Sequence, residues 1–474
     1  MATEVKKVDF TSGRIFSKMV VFTLPIIFTN LLQVFYNAAD MMIVSLSDEV
    51  NAVGAVGVTG SFINLVLSFI IGLSVGANVI VSKWIGAKEK ERAQKAVHTS
   101  IALGFWFGMI TMVIGLLTSR LVLQWMGTSG NLLDLAVTYT DIYFAGLPFM
   151  SLANYTIAVF RAKGDSKTPL VVLGATGLLN VGLNFFFVVG MGMSVEGVAF
   201  STMIANLVSS VVLLIKLSLD TNEFTKFSFK KLKIHKKSLK EIIKAGVPAG
   251  IQSALFGISN LLIQSSVVKV NNMAMSGIVT DSDYQPIVSG ASAQGNLEGF
   301  IYTAMNAVYQ GVVTFVSQNM GAKKTDRIYK IMYYGIAFVS GVGLTMAVIM
   351  YLLRIPLLKM YGVVPGEPGS LEAMAMKAAT VRVYLIGFPY FMCGIMEVFV
   401  GVLRGVGKSM LSMFISLIGA CLLRIIWLWV LFPIFPTLEC VYLSYPVTWI
   451  ITIAMQIVIT HMILKRIAKE NARA

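Results

Sequence analysis

Asn30, Gln33, Asn37 and Asp40 interrupt an otherwise apolar run, "FTNLLQVFYNAADMMIVS" at 28–45. Their steps of 3, 4 and 3 residues place all four on one face of a helix. Polar side chains at membrane depth face protein or water rather than lipid. A carboxylate ending such a stripe can bind and release a proton. With amide and hydroxyl oxygens around it, the same carboxylate can hold Na+, which hard oxygen ligands suit. Asn154, Asn180, Asn184, Thr202 and Asn206, in later apolar runs, could supply those oxygens. Asn180 and Asn184, four apart, share a helical face. The structural alternative is a hydrogen-bond network that ties helices together.

A second set lies in the other half of the chain. Glu397 and Arg424 fall in successive apolar runs and are expected to pair, as a structural ion pair or as a further coupling site. Glu298 stands early in a long run. It is expected to face an outer cavity or the headgroups, where an anion could attract organic cations. Gln33, Tyr36, Asn37, Phe149 and Met305, with Phe35, Tyr155 and Tyr309, are candidates to line a substrate cavity. For any one of these, packing is the default expectation.

Other chemistries find no support. Cys393, Cys421 and Cys440 are too scattered for a metal site, and His98, His235 and His461 have no metal-ligand spacing. "GVGKS" at 405–409 suggests a phosphate-binding loop, but the position that needs the first glycine is Val402. No cofactor and no nucleic acid are implied. The net charge of +15 sits in short loops and reads as topology and contact with anionic lipid.

These residues need helices that cross a bilayer. The 474-residue chain is 56% hydrophobic and only 13% charged, against about 25% charge in a soluble domain. Apolar runs predict twelve spans, at 19–46, 53–84, 96–119, 134–160, 168–190, 194–216, 244–270, 287–320, 328–352, 374–403, 410–432 and 439–464. Most of the 38 Lys and Arg residues then fall on one side, which places both termini in the cytoplasm. The chain also repeats itself. "VSKWIGAK" at 81–88 is similar to "VSQNMGAK" at 316–323, and "GLP" at 146–148 to "GFP" at 387–389. Two six-helix bundles follow, 1–220 and 244–474, joined by a basic linker at 221–243.

The chain resembles the multidrug and toxic compound extrusion (MATE) family over nearly its whole length. The resemblance is carried by "LPIIFTNLLQVFYNAADMMIVS", "VSKWIGAKEKERAQKA", "FRAKGDSKTPL", "LLNVGLNFFFVVGMG", "NLEGFIYTAMNAVYQG" and "MEVFVGVLRGVGKS". It implies a V-shaped pair of bundles with a central cavity, in the bacterial cytoplasmic membrane. It implies export of small amphipathic, often cationic compounds in exchange for H+ or Na+. It assigns cation coupling to Asp40 with Asn180 and Asn184, which would be the metal ligands were the ion Na+. The second of these positions is commonly Asp in the family and is Asn184 here. The acidic position of the tenth span falls on Glu397. A monomer is expected. The competing expectations are a lipid-linked saccharide flippase of the same superfamily and, in a different class, a membrane-embedded enzyme. The flippase would need extra spans and a more cationic cavity. The enzyme would need a catalytic constellation at membrane depth.

Overall fold

A computed structural model describes residues 9–49, 51–276 and 284–473, and they are helical nearly throughout. The first half contains α1 (Ile15–Val44), α2 (Ala52–Gly86), α3 (Lys90–Trp125), α4 (Gly130–Ala145), α5 (Leu147–Ala162), α6 (Lys167–Asn184) and α7 (Val195–Ser218). The second contains α8 (Lys236–Met275), α9 (Pro286–Gly321), α10 (Thr325–Leu352), α11 (Arg354–Met360), α12 (Leu371–Arg382), α13 (Tyr390–Gly405), α14 (Ser409–Ser416), α15 (Leu423–Val430) and α16 (Leu438–Arg473). Among the described residues, ten helical stretches are each long and apolar enough to cross a membrane. The pair α4–α5 adds an eleventh span. Helix α9, which covers the expected span 287–320, is not among these stretches.

The expected span 134–160 is not one straight helix. α4 and α5 meet at a bend of 46°. Pro148 explains it, because it lacks the N–H that would continue the helical ladder. In the second half the "GFP" repeat marks an equivalent break. Helix α12 continues as a π-helical turn, Val383–Gly387, and α13 starts only at Tyr390. Two further π-helical stretches occur, Phe185–Gly190 after α6 and Leu417–Leu422 between α14 and α15. Nothing in the composition of these segments announces them.

The chain divides into two compact units. The first comprises Met1–Ala254, Val313–Lys324 and Arg404–Met410; the second comprises Leu255–Val312, Thr325–Leu403 and Leu411–Ala474. The start of α8 thus belongs to the first unit, beyond the expected boundary at 243.

Lipid tails are as apolar as leucine, so helices in a bilayer associate through close packing rather than hydrophobic burial. The first unit shows how. Gly72 and Gly76 of α2 face Gly246 and Gly250 of α8, a pair of GxxxG stretches. A Cβ on Gly72 would lie 2.5 Å from the Gly250 backbone. Further along, a Cβ on Gly86 would overlap the carbonyl oxygen of Gln318, and one on Gly321 would overlap that of Lys83. The two contacts are reciprocal across the sequence repeat. Lys88 and Lys323, also repeat mates, both adopt a φ of 57° just past the helix ends. Asn78 and Thr314 hydrogen bond between the same two helices at 3.0 Å.

The second unit has its own apolar core, built around Ile263, Val267, Met396, Val441, Tyr442 and Trp449.

Candidate functional site

The expected stripe on α1 divides. Gln33 and Asn37 are exposed and Asn30 is half-buried, whereas Asp40 is buried, with 9% exposure. Tyr36, a candidate to line the substrate cavity, packs on α6. Its ring covers Gly177, and its hydroxyl donates to the Gly174 carbonyl at 3.0 Å.

Three helices of the first unit deliver polar groups to Asp40. Asn184, at the last position of α6 and 0% exposed, donates its amide N–H to Oδ1 at 2.5 Å. Thr202 of α7 stands close enough to act electrostatically on the same carboxylate. Asn180 Nδ2 donates to Thr202 Oγ1 at 3.4 Å. Tyr139 and Tyr143 of α4 stand within electrostatic reach of Asp40. Composition around "TYTDIYFAG" drew no attention to them, although their spacing of four residues shows a shared face. Asn154 does not join by hydrogen bond, since its amide donates to the Met150 carbonyl one turn back at 2.9 Å.

The amide oxygens of Asn180 and Asn184 are both buried, and neither accepts a hydrogen bond among the described residues. A buried acceptor without a donor costs free energy, about 1–3 kcal/mol. The set comprises one carboxylate, two amide oxygens and a hydroxyl, all hard oxygen donors of the kind that alkali and alkaline-earth cations prefer. A proton on Asp40 would provide one donor to the cluster; a bound Na+ could draw on several of its oxygens at once. Directly beyond Asn184 the helix turns π, a form found disproportionately at functional sites.

The second unit differs from expectation at Glu298. Its side chain is 3% exposed and bonded to Arg382, with Nε and Nη2 of the guanidinium 3.1 and 3.0 Å from Oε2. Glu298 is therefore not open to headgroups, and its charge is already matched. Arg382 ends α12 inside the protein and stands over the Tyr442 ring at 5.5 Å. Like Arg424, it lies within a stretch long and apolar enough to span the membrane. Arg424 donates to Thr448 Oγ1 at 3.4 Å and lies 3.9 Å from the centre of the Tyr445 ring. Glu397 is buried, and Cys393 feels both its charge and that of Arg424. Met305 is packed, 1% exposed, with its sulfur against Gly343 and Gly394. Phe149 is half-buried in the first unit.

Comparison with known proteins follows the same lines. The MatE family model matches residues 25–186 and 248–430. The chain is 28% identical over 355 residues to "Probable multidrug resistance protein YoeA" of Bacillus subtilis (strain 168), covering 73% of each chain. It is 25% identical over 266 residues to "Multidrug export protein MepA" of Staphylococcus aureus (strain bovine RF122 / ET3-1), covering 56% of this chain and 59% of that one. Among solved structures, an outward-facing multidrug resistance MATE family transporter of the MOP superfamily superposes with a TM-score of 0.87 at 16% identity. That match covers 98% of this chain and 100% of the other, and shows a shared fold.

Proposed function

Because the chain belongs to the MatE family of multidrug transporters, we propose that it exports small amphipathic, often cationic compounds by alternating access, driven by inward flow of H+ or Na+. Membership in a family of transporters removes the enzyme reading. The observation that carries the coupling role is the buried Asp40–Asn184 hydrogen bond beside two amide oxygens that lack donors.

Asp40 is the ion-binding group. Asn184 holds its carboxylate, Thr202 connects it to Asn180, and Tyr139 and Tyr143 flank it. Binding a cation there neutralises a buried charge and satisfies orphaned acceptors, so loaded and empty states differ in energy. That difference can bias a two-state transporter. In the orientation given by the Lys and Arg distribution, both termini are cytoplasmic and the membrane is the bacterial inner membrane. The monomer is the functional unit of this reading.

Proteoliposomes loaded with a cationic dye test it. Efflux driven by a pH gradient alone and by a Na+ gradient alone identifies the ion. Loss of the driven component in Asp40→Asn supports the assignment; dye movement that needs neither gradient overturns it.

A further inference from the structure

At the basic end of the first unit, a cavity of about 350 Å³ opens between the end of α2, the start of α3 and the start of α8. Trp84, Arg92, Lys95, His235, Lys236, Lys237, Ser238 and Glu241 line it. None of them takes part in the Asp40 site.

The chemistry of the walls is one-sided. Arg92, Lys236 and Lys237 form no salt bridge among the described residues, while Lys95 is paired with Glu91. The one carboxylate of the lining, Glu241, accepts the Trp84 indole N–H at 3.3 Å. The Trp84 ring carries the Arg92 guanidinium at 4.7 Å and the Lys83 ammonium at 4.8 Å, which holds Arg92 in place over it. Ser238, on the wall of the cavity, is 7% exposed. It stands in the first turn of a 40-residue helix, whose leading N–H groups and dipole also favour an anion. Burial pushes the His235 imidazole below its ordinary range, and Lys95, Lys233 and His98 push it the same way. The site thus resists one more positive charge.

We propose that this cavity binds a phosphate group, held by Arg92, Lys236, Lys237 and the Ser238 hydroxyl, with Trp84 positioning the arginine. Arginine offers two parallel donors to phosphate oxygens, and ammonium groups add point charge. The volume falls at the lower end of the usual range for small-molecule sites, about 300–1,000 Å³. The group comes from an anionic phospholipid headgroup or from a free phosphate, and the two sources are separable.

The experiment uses the full-length protein. One arm measures thermal stabilisation by inorganic phosphate in detergent, against chloride at equal ionic strength. The other measures phosphatidylglycerol retained from nanodiscs by native mass spectrometry, against phosphatidylcholine. The test variant is Arg92→Gln/Lys236→Gln. The control is Lys230→Gln/Lys231→Gln, of equal charge change outside the cavity. Should the double variant fail to fold, Lys237→Gln, an exposed position, replaces it. Binding that weakens about fivefold or more in the test variant, and holds in the control, is the expected result. A response in the phosphate arm alone identifies a free phosphate, and a response in the lipid arm identifies a headgroup. Equal loss in test and control, or no binding in either arm by the unaltered protein, overturns the proposal.

Discussion

Glu298 and Arg382, 84 residues apart in sequence, meet in a buried pair in which two guanidinium nitrogens bond one carboxylate. Each ion forfeits its hydration to enter the protein and recovers the loss only through the other. Removing one partner therefore costs more than removing both, because it strands a buried charge. Glu298→Gln and Arg382→Gln are each expected to lower stability by about 3–5 kcal/mol. The double change should recover a substantial part of that loss. Thermal unfolding of the four proteins in detergent reads the coupling; strictly additive losses would refute it.

Asp40 and Asn184 should separate transport from folding. Asp40→Asn keeps the shape and loses the charge, so expression and melting are expected to stay close to those of the unaltered protein. Gradient-driven efflux should fall at least about tenfold. Asn184→Ala removes the donor to the carboxylate and should reduce driven efflux in the same direction. Driven efflux that survives both changes would move the coupling role elsewhere.

The glycines make opposite predictions at two kinds of position. A methyl group at Gly72, Gly86 or Gly321 meets backbone of a neighbouring helix. Substitution by Ala there should destabilise by about 1–3 kcal/mol. Gly57 and Gly299 have open space at the same point. There Ala should be neutral or stabilising, by up to about 1 kcal/mol, through its better helix propensity. Melting temperatures that fail to sort the two groups would contradict the packing described.

The N-terminal segment predicts a pH dependence. Phe10 is fully buried, stacked on Phe315 with ring centres 3.9 Å apart, and Asn319 bonds its carbonyl. Asp9 fixes the turn beside it by accepting hydrogen bonds from the Thr11 N–H and the Thr11 and Ser12 hydroxyls. Partial burial opposes the charge on Asp9, but those bonds and Lys18 outweigh it and bring the carboxyl down to about 2. A folded value below the unfolded one, about 3.9, means stability that is present above pH 4 and lost as pH falls toward 2. Asp9→Asn should therefore melt below the unaltered protein at pH 6, with the gap closing between pH 4 and 2. A gap constant across that range would show that the charge contributes nothing.

Much of this was legible in the amino-acid pattern, for identifiable reasons. Apolar runs and basic loops gave the spans because bilayer thickness fixes helix length. Asp40 and Asn184 could be joined because polar residues in a span must find one another. Arg382 gave no signal of its own, because a cation near the end of an apolar run looks like one at the headgroups. Only the position of Glu298, 84 residues earlier, reveals the pairing. The bend between α4 and α5 left a trace in Pro148, yet the run was apolar on both sides and read as continuous. Tyr139 and Tyr143 stood in an ordinary apolar run and drew no attention. The π-helical stretches left no trace, since they follow from how neighbouring helices fit rather than from their own residues.

Those stretches have a mechanical meaning. Each accommodates a surplus residue in the helical winding, next to Asn184, next to Arg382 and just before Arg424. Tightening one to α geometry would pass that surplus along the helix and turn whatever lies beyond by roughly 100°, the angle per residue of an α-helix. A span built this way can re-aim a polar side chain by twisting about its own axis, with every backbone hydrogen bond exchanged and none left open to lipid. Asn184, Arg382 and Arg424 stand at the swivels of their helices.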